Sequence, residues 1–334
     1  MVTTHFNPER RFNNMETDRS KRACPDLRGQ HHYDELRSRR FLSFQTVNWI
    51  FMDVFTISGP GDGPYGITTG PDGALWCTLV HAGAVMRIAL DGITTRFNVR
   101  DGDGPALITP GLWFSLLHTG AVGRISPSGE VSLTPLPGVQ GTYGVTAGPD
   151  GGCSYTTMQP PHIGFIGNDG SVATVSLPEG SMPSMVTVAG GSTWCTLNQA
   201  GAVAQVGPSG ALTIHPLPTP DAGPVGITTA GDGAVWFTEI AAGQIGRITA
   251  GGTITEFPLP DRAGRPHAIT ADPAGGCWFT EWAGNRIGHI TAAGAVTTYD
   301  LPVAGAEPHG ITVAPDGTVW TALETGAVAR LTRT

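Results

Sequence analysis

Two histidines occupy matching places in neighbouring segments of this chain, His267 in Arg-Pro-His-Ala-Ile-Thr and His309 in Glu-Pro-His-Gly-Ile-Thr. Each stands 11 residues before a tryptophan, and four residues beyond those tryptophans come Trp282 and Glu324. Glu307 precedes His309 by two positions, and Tyr65 holds the histidine's place in an earlier segment. An imidazole titrates near neutrality and can accept a proton as a general base. Paired carboxylates such as Glu307 and Glu324 are hard oxygen donors suited to a divalent cation such as Mg²⁺. Cation and base together can remove a weakly acidic proton or activate an ester carbonyl. The same residues are also compatible with a merely solvated polar lining. What decides between these readings is whether the fold brings them together.

The positioning element is an internal repeat. It reads Pro-x-Gly-Ile-Thr, then Pro-Asp-Gly, Leu-Trp-Phe-Thr, Gly-x-Ile-Gly-Arg-Ile, and finally Gly-x-Ile-Thr-x-Phe-x-Leu-Pro. Anchored on Trp76, Trp113, Ser154, Trp194, Trp236, Trp278 and Trp320, the copies step by 37, 41, 40, 42, 42 and 42 residues. Each copy holds four short β-type runs parted by Asp-Gly or Ala-Gly turns. In the sixth they are His267–Thr270, Cys277–Trp282, Arg286–Thr291 and Ala295–Leu301. Four strands in about 40 residues is the pattern of a propeller blade, which needs neighbours to cover both of its faces. The predicted fold is therefore all-β, a seven-bladed β-propeller. The seventh copy stops after its third run, so the N-terminal strand Asp53–Ile57 is expected to complete that last blade and close the ring. In the second copy Pro105 and Trp113 are 8 residues apart, whereas Pro266 and Trp278 are 12 apart, which predicts a shortened blade.

A repeat is its own control. A position set only by packing should look alike in every copy. The residue opening the innermost strand is Tyr65, Ala106, Tyr143, Ser184, Val225, His267 and His309 in turn. Four residues past the anchor stand Val80, Leu117, Met158, Asn198, Ile240, Trp282 and Glu324. The first two strands run antiparallel, so both sets belong at one mouth of the central channel. Glu239 and Glu281 read as rim carboxylates. Arg87, Arg124, Arg247 and Arg286 are expected to pair between blades. His81, His118, His162, His215 and His289 fall outside the convergent set.

Composition agrees with this organisation. With 48 Gly, 27 Pro and 40% hydrophobic residues among 334, the chain has too many helix breakers for a bundle and enough apolar content for a core. A net charge of −8 speaks against a nucleic-acid partner. No apolar run approaches the ~18 residues of a membrane helix. Residues 1–46 are predicted to be a disordered, basic extension, with 47–334 forming the propeller. The five scattered cysteines read as free thiols, and the absence of a secretory signal pattern leads to the expectation of a cytoplasmic protein.

The runs Gly63-Pro64-Tyr65-Gly66-Ile67-Thr68, Arg265-Pro266-His267-Ala268-Ile269-Thr270, Trp278-Phe279-Thr280-Glu281-Trp282 and Glu307-Pro308-His309-Gly310-Ile311 resemble the virginiamycin B lyase family, the streptogramin B lyases. The resemblance extends over about residues 53–334, and its specific part is the pair of Pro-His motifs in consecutive copies. It implies a monomer requiring Mg²⁺ and giving antibiotic resistance. The substrate would be a small cyclic depsipeptide, opened by elimination at its threonyl ester. By this resemblance His309 is the general base, Glu307 and Glu324 are the metal ligands, and His267 contacts substrate. Tyr65 and Trp282 would wall the macrocycle. A propeller lactone hydrolase and a non-catalytic propeller that binds a ligand or protein are the alternatives.

Overall fold

The computed structural model describes residues 50–333, apart from 101 and 149. The expectation for residues 1–46 lies outside this span, as does Cys24. Within it are seven four-stranded antiparallel sheets. Six are consecutive in sequence, spanning 64–98, 105–135, 142–176, 183–216, 224–258 and 266–300. The seventh combines Pro308–Val313, Val319–Leu323 and Ala327–Arg333 with the N-terminal strand Ile50–Thr56. That strand pairs antiparallel with Ala327–Arg333, from Ile50 opposite Arg333 to Thr56 opposite Ala327. It begins three residues earlier than the sequence suggested. The innermost strands of the first and seventh blades, Pro64–Thr69 and Pro308–Val313, lie side by side and complete the ring.

The burial of each strand follows its radial place. Second strands such as Leu75–Leu79 and Cys277–Glu281 are buried at every residue, because blades cover them on both faces. Fourth strands such as Val296–Asp300 alternate towards solvent. Trp76, Trp194, Trp236 and Trp278 are wholly buried. Their clusters cross between blades: Trp76 packs with Ile108 and Phe114 of the second blade, and Trp236 with Phe279 of the sixth. Burying one large apolar side chain stabilises by roughly 1.5–3 kcal/mol, so the ring is held mainly by what lies between its blades.

In the second blade the inner strands are only Pro105–Ile108 and Trp113–Leu116, four residues each, as the spacing predicted. The shortened connection puts Leu112 at φ 58°, a left-handed conformation rarely taken by a branched side chain.

The arginines correct the sequence reading. Arg87 meets Asp72 at 2.6 Å and Arg247 meets Asp232 at 2.7 Å, both within one blade. Each arginine is registered opposite the anchor tryptophan and so reaches the turn that joins the first two strands. Arg124 lies over Trp113 of its own blade. Arg286 bonds Glu281 of its own blade at 2.6 Å, and also Asp261 just before that blade at 2.7 Å. Cys77, Cys153, Cys195 and Cys277 are buried free thiols. Among the described residues no helix is long and apolar enough to cross a membrane.

Glu239 is fully buried; one carboxylate oxygen accepts from Gln244 at 2.7 Å and the other has no partner. Burial pushes its pKa up to about 7. A folded-state pKa above the unfolded value stabilises below the unfolded pKa, and that contribution disappears as pH rises through 7. A rise from 4.5 to about 7 corresponds to about 3 kcal/mol. Glu239→Gln should therefore gain stability relative to the parent between pH 5 and pH 8. Thermal melts across that range check this, and a difference that does not change with pH would contradict it.

Candidate active site

Each blade's inner strand carries a register shift just past its opening residue, between Pro266 and Ile269 in the sixth and between Pro308 and Ile311 in the seventh. Such an irregularity re-aims a side chain. A recurring hydrogen bond then fixes it to the neighbouring blade. Thr238 accepts from the Gly226 amide at 2.8 Å and donates to the His267 carbonyl at 2.7 Å. Thr280 accepts from the Ala268 amide and donates to the His309 carbonyl, both at 3.0 Å. The blades approach so closely here that a Cβ on Gly226 would lie 2.4 Å from the His267 carbonyl oxygen. The two histidines are thus set by the blade-to-blade packing, not by a mobile loop.

The ends of the second strands are tied to the same mouth. The Glu324 amide donates to the Ala306 carbonyl at 3.0 Å, and the Trp282 amide to the Arg265 carbonyl at 3.1 Å. Glu307, His309 and Glu324 consequently offer ligand atoms within 4.8 Å of one another. His309 Nε2 stands 2.7 Å from Glu324 Oε2, while its Nδ1 is buried without a partner. Tyr65 stacks on the His309 ring at 4.4 Å, and the His267 ring meets it edge-on at 5.2 Å. The Tyr65 hydroxyl bonds that of Tyr143 at 2.9 Å, and Tyr143 reaches His267 Nε2 at 3.4 Å. Five of the six residues singled out in the sequence are therefore gathered at one mouth, four of them in direct contact and Glu307 within 4.8 Å. Trp282 stands half-buried at the same mouth, with its indole nitrogen unpartnered.

Two participants escaped the sequence reading. His81 Nε2 stands 3.2 Å from Glu324 Oε1, which brings into the set a histidine expected to fall outside it. It lies one position beyond the last comparison point of the first blade, and ring closure brings that blade against the seventh. Both facts were available from the repeat. Tyr143 appeared in the opening series, but its bridge between Tyr65 and His267 needed three non-adjacent blades to be placed.

The electrostatics separate the histidines. Burial, helped by His309, takes His267 down to about 3, so it is neutral throughout the physiological range. Burial also lowers His309, against the opposing pull of Glu324 and Glu307. Burial acts to raise Glu324, but hydrogen bonds from His309 and His81 outweigh it and leave its pKa lowered. The mouth thus combines a neutral, hydrogen-bonded imidazole with two carboxylates, one of them ionised and shared by two histidines.

Backbone conformation marks the same place. Two residues before each opening residue the chain turns left-handed. Four blades use glycine there, Gly63, Gly104, Gly141 and Gly223. The other three carry Met182, Arg265 and Glu307 at φ 51°, 53° and 48°. A side chain in this conformation costs roughly 1–2 kcal/mol, and such strain gathers at functional sites.

Comparison with known proteins agrees with this geometry. Residues 50–331 match the virginiamycin B lyase family. A virginiamycin B lyase of Nocardia farcinica is 42% identical over 181 residues, which is 53% of this chain and 62% of that relative. The alignment thus spans less than two thirds of the relative's length. A solved streptogramin B lyase superposes with a TM-score of 0.82 at 37% identity, covering 86% of this chain and 98% of the other. The catalytically inactive histidine-to-alanine variant of virginiamycin B lyase from Staphylococcus aureus, solved with quinupristin, gives 0.80 at 37% identity, covering 85% and 99%. With the propeller, the paired Pro-His strands and the match over residues 50–331 in place, the chain belongs to the virginiamycin B lyase family.

Proposed function

We propose that this protein is a carbon–oxygen lyase that linearises cyclic streptogramin B-type depsipeptides by Mg²⁺-assisted elimination at the threonyl ester. The observation that carries the reading is the meeting of Glu307, His309 and Glu324 within 4.8 Å at the channel mouth. Their donor set fits a hard divalent cation: two carboxylates, one exposed and one half-exposed, stand beside an imidazole, and Glu307 is held in a strained backbone conformation. Bound there by Glu307 and Glu324, Mg²⁺ would supply positive charge for the negative charge that develops on a substrate carbonyl.

The chain's own residues do the rest. His309 takes the α-proton of the threonyl residue: burial favours its neutral form, which keeps one ring nitrogen free to accept a proton. The electrons of that C–H bond form the new double bond as the ester C–O bond breaks. A dehydrobutyrine and a free carboxylate result, and no water is consumed. Tyr65 fixes the plane of the imidazole by stacking. His267, unable to take up a second proton at this pH, serves as a neutral hydrogen-bonding contact to substrate. Trp282 offers an aromatic wall to an apolar macrocycle.

The strained positions beside the histidines carry a prediction. Arg265→Gly and Met182→Gly, which install the residue used by four other blades, should raise KM for the depsipeptide several-fold without lowering the melting temperature. Steady-state kinetics and thermal melts check this; an unchanged KM in both variants would remove these side chains from the substrate surface. The function itself is tested by chromatography of intact quinupristin incubated with the purified chain. Its disappearance should require Mg²⁺ and stop with EDTA. Persistence of the intact macrocycle at high enzyme concentration with Mg²⁺ would refute the reading.

A further inference from the structure

The shortened second blade opens a cleft of about 700 Å³ at the end of the ring opposite the histidines. That volume is within the range of small-molecule sites. Its walls include Pro71, Gly111, Leu112, Arg124, Ser126 and Glu130.

The repeat shows what is unusual about Arg124. The third-strand residue registered opposite the anchor tryptophan is commonly a basic side chain with a carboxylate partner. Arg87 pairs with Asp72 at 2.6 Å, Arg247 with Asp232 at 2.7 Å, His289 with Asp272 at 3.1 Å and Arg330 with Asp53 at 2.6 Å. The second blade has lost the Pro-Asp-Gly turn that would bear the aspartate; its connection is Thr109-Pro110-Gly111-Leu112. Arg124 has no ion pair or side-chain hydrogen bond among the described residues. It is nevertheless held in place, because its guanidinium lies 4.9 Å over the Trp113 ring, and the Trp113 indole donates to the Gly151 carbonyl at 3.3 Å. One deletion has therefore both removed the counter-ion and made the space beside the cation.

We propose that this cleft is a binding site for a small apolar carboxylic acid, whose carboxylate takes the place of the missing aspartate on Arg124. A guanidinium presents a fork that matches a carboxylate. The apolar part of the ligand would lie along Pro71, Pro127 and Val131, which line the cleft and face solvent. Glu130, on the same wall, disfavours ligands of higher negative charge, which selects a monocarboxylate over a phosphate. The site lies apart from the histidine mouth and does not rest on the lyase reading.

The test is calorimetric titration of the full chain at constant ionic strength with phenylacetate and hexanoate, and with phenylacetamide as the neutral control. Saturable binding of the acids and none of the amide is expected. Arg124→Gln should weaken the acids at least tenfold, Arg124→Lys should weaken them less, and Glu130→Gln should tighten them severalfold. Arg124 is exposed, so these variants should keep the parent's circular dichroism melt. Absence of saturable binding by either acid would overturn the proposal. So would equal binding of acid and amide, or unchanged affinity in Arg124→Gln.

Discussion

Replacing His309 by alanine should lower kcat for ring opening by roughly 10²–10⁴-fold, the usual contribution of a positioned general base. The fold should survive, because Thr280 holds this position through the His309 carbonyl, a backbone group that the substitution keeps. His267→Ala should act differently. That imidazole cannot change protonation near neutrality, so its removal should appear chiefly in KM. A pH profile supplies the second readout. Burial lowers His309 from its usual 6.5, so its base form is already dominant at neutral pH. The rate should rise with pH on an acid limb lying below 6.5 and be level above it. Kinetics of the two variants, together with the parent's profile between pH 4.5 and 8, check this. Comparable losses of kcat in both variants, or a rate still climbing above pH 8, would assign the base elsewhere.

Removing either carboxylate should be nearly as damaging. Glu307→Gln and Glu324→Gln keep the size of the side chain but lose the charge. Stabilisation of transition-state charge by a cation is worth several kcal/mol, so each should cost roughly 10²–10³-fold in kcat. Direct titration of Mn²⁺ by electron paramagnetic resonance gives a readout independent of turnover, and both variants should bind it more weakly. Glu307→Gly separates function from stability. The left-handed backbone there suits glycine, as in four other blades, so this variant should melt no lower than the parent while losing ring opening. A strong loss of stability would show that Glu307 is retained for folding, and full activity in Glu324→Gln would remove the cation from the account.

Much of this was legible in the sequence because a propeller repeats one unit under one set of packing constraints. The tryptophan anchors fixed the blade count, and the missing fourth run in the last copy pointed to closure by the N-terminal strand. His267, His309 and Glu324 were visible as departures from the consensus of their own positions. Other features depend on distances between blades, which a linear repeat does not state. His81 joins Glu324 across the ring closure, one residue past the compared position. Tyr143 bridges Tyr65 and His267 from a blade adjacent to neither. Arg87 and Arg247 depart from the expected pairing between blades because cross-strand register sets each opposite its anchor tryptophan, beside the carboxylate of its own blade's turn. The strain at Glu307 was hidden as well, since Gly63, Gly104 and Gly223 precede proline just as Glu307 does, and only the dihedral angles show that all four share one conformation.

The central claim is elimination at this mouth, and the mass of the product tests it most directly. Quinupristin incubated with the protein and Mg²⁺ should give a ring-opened product of unchanged mass containing a dehydrobutyrine, absent with EDTA or with His309→Ala. A product heavier by one water would mean hydrolysis and would contradict the account.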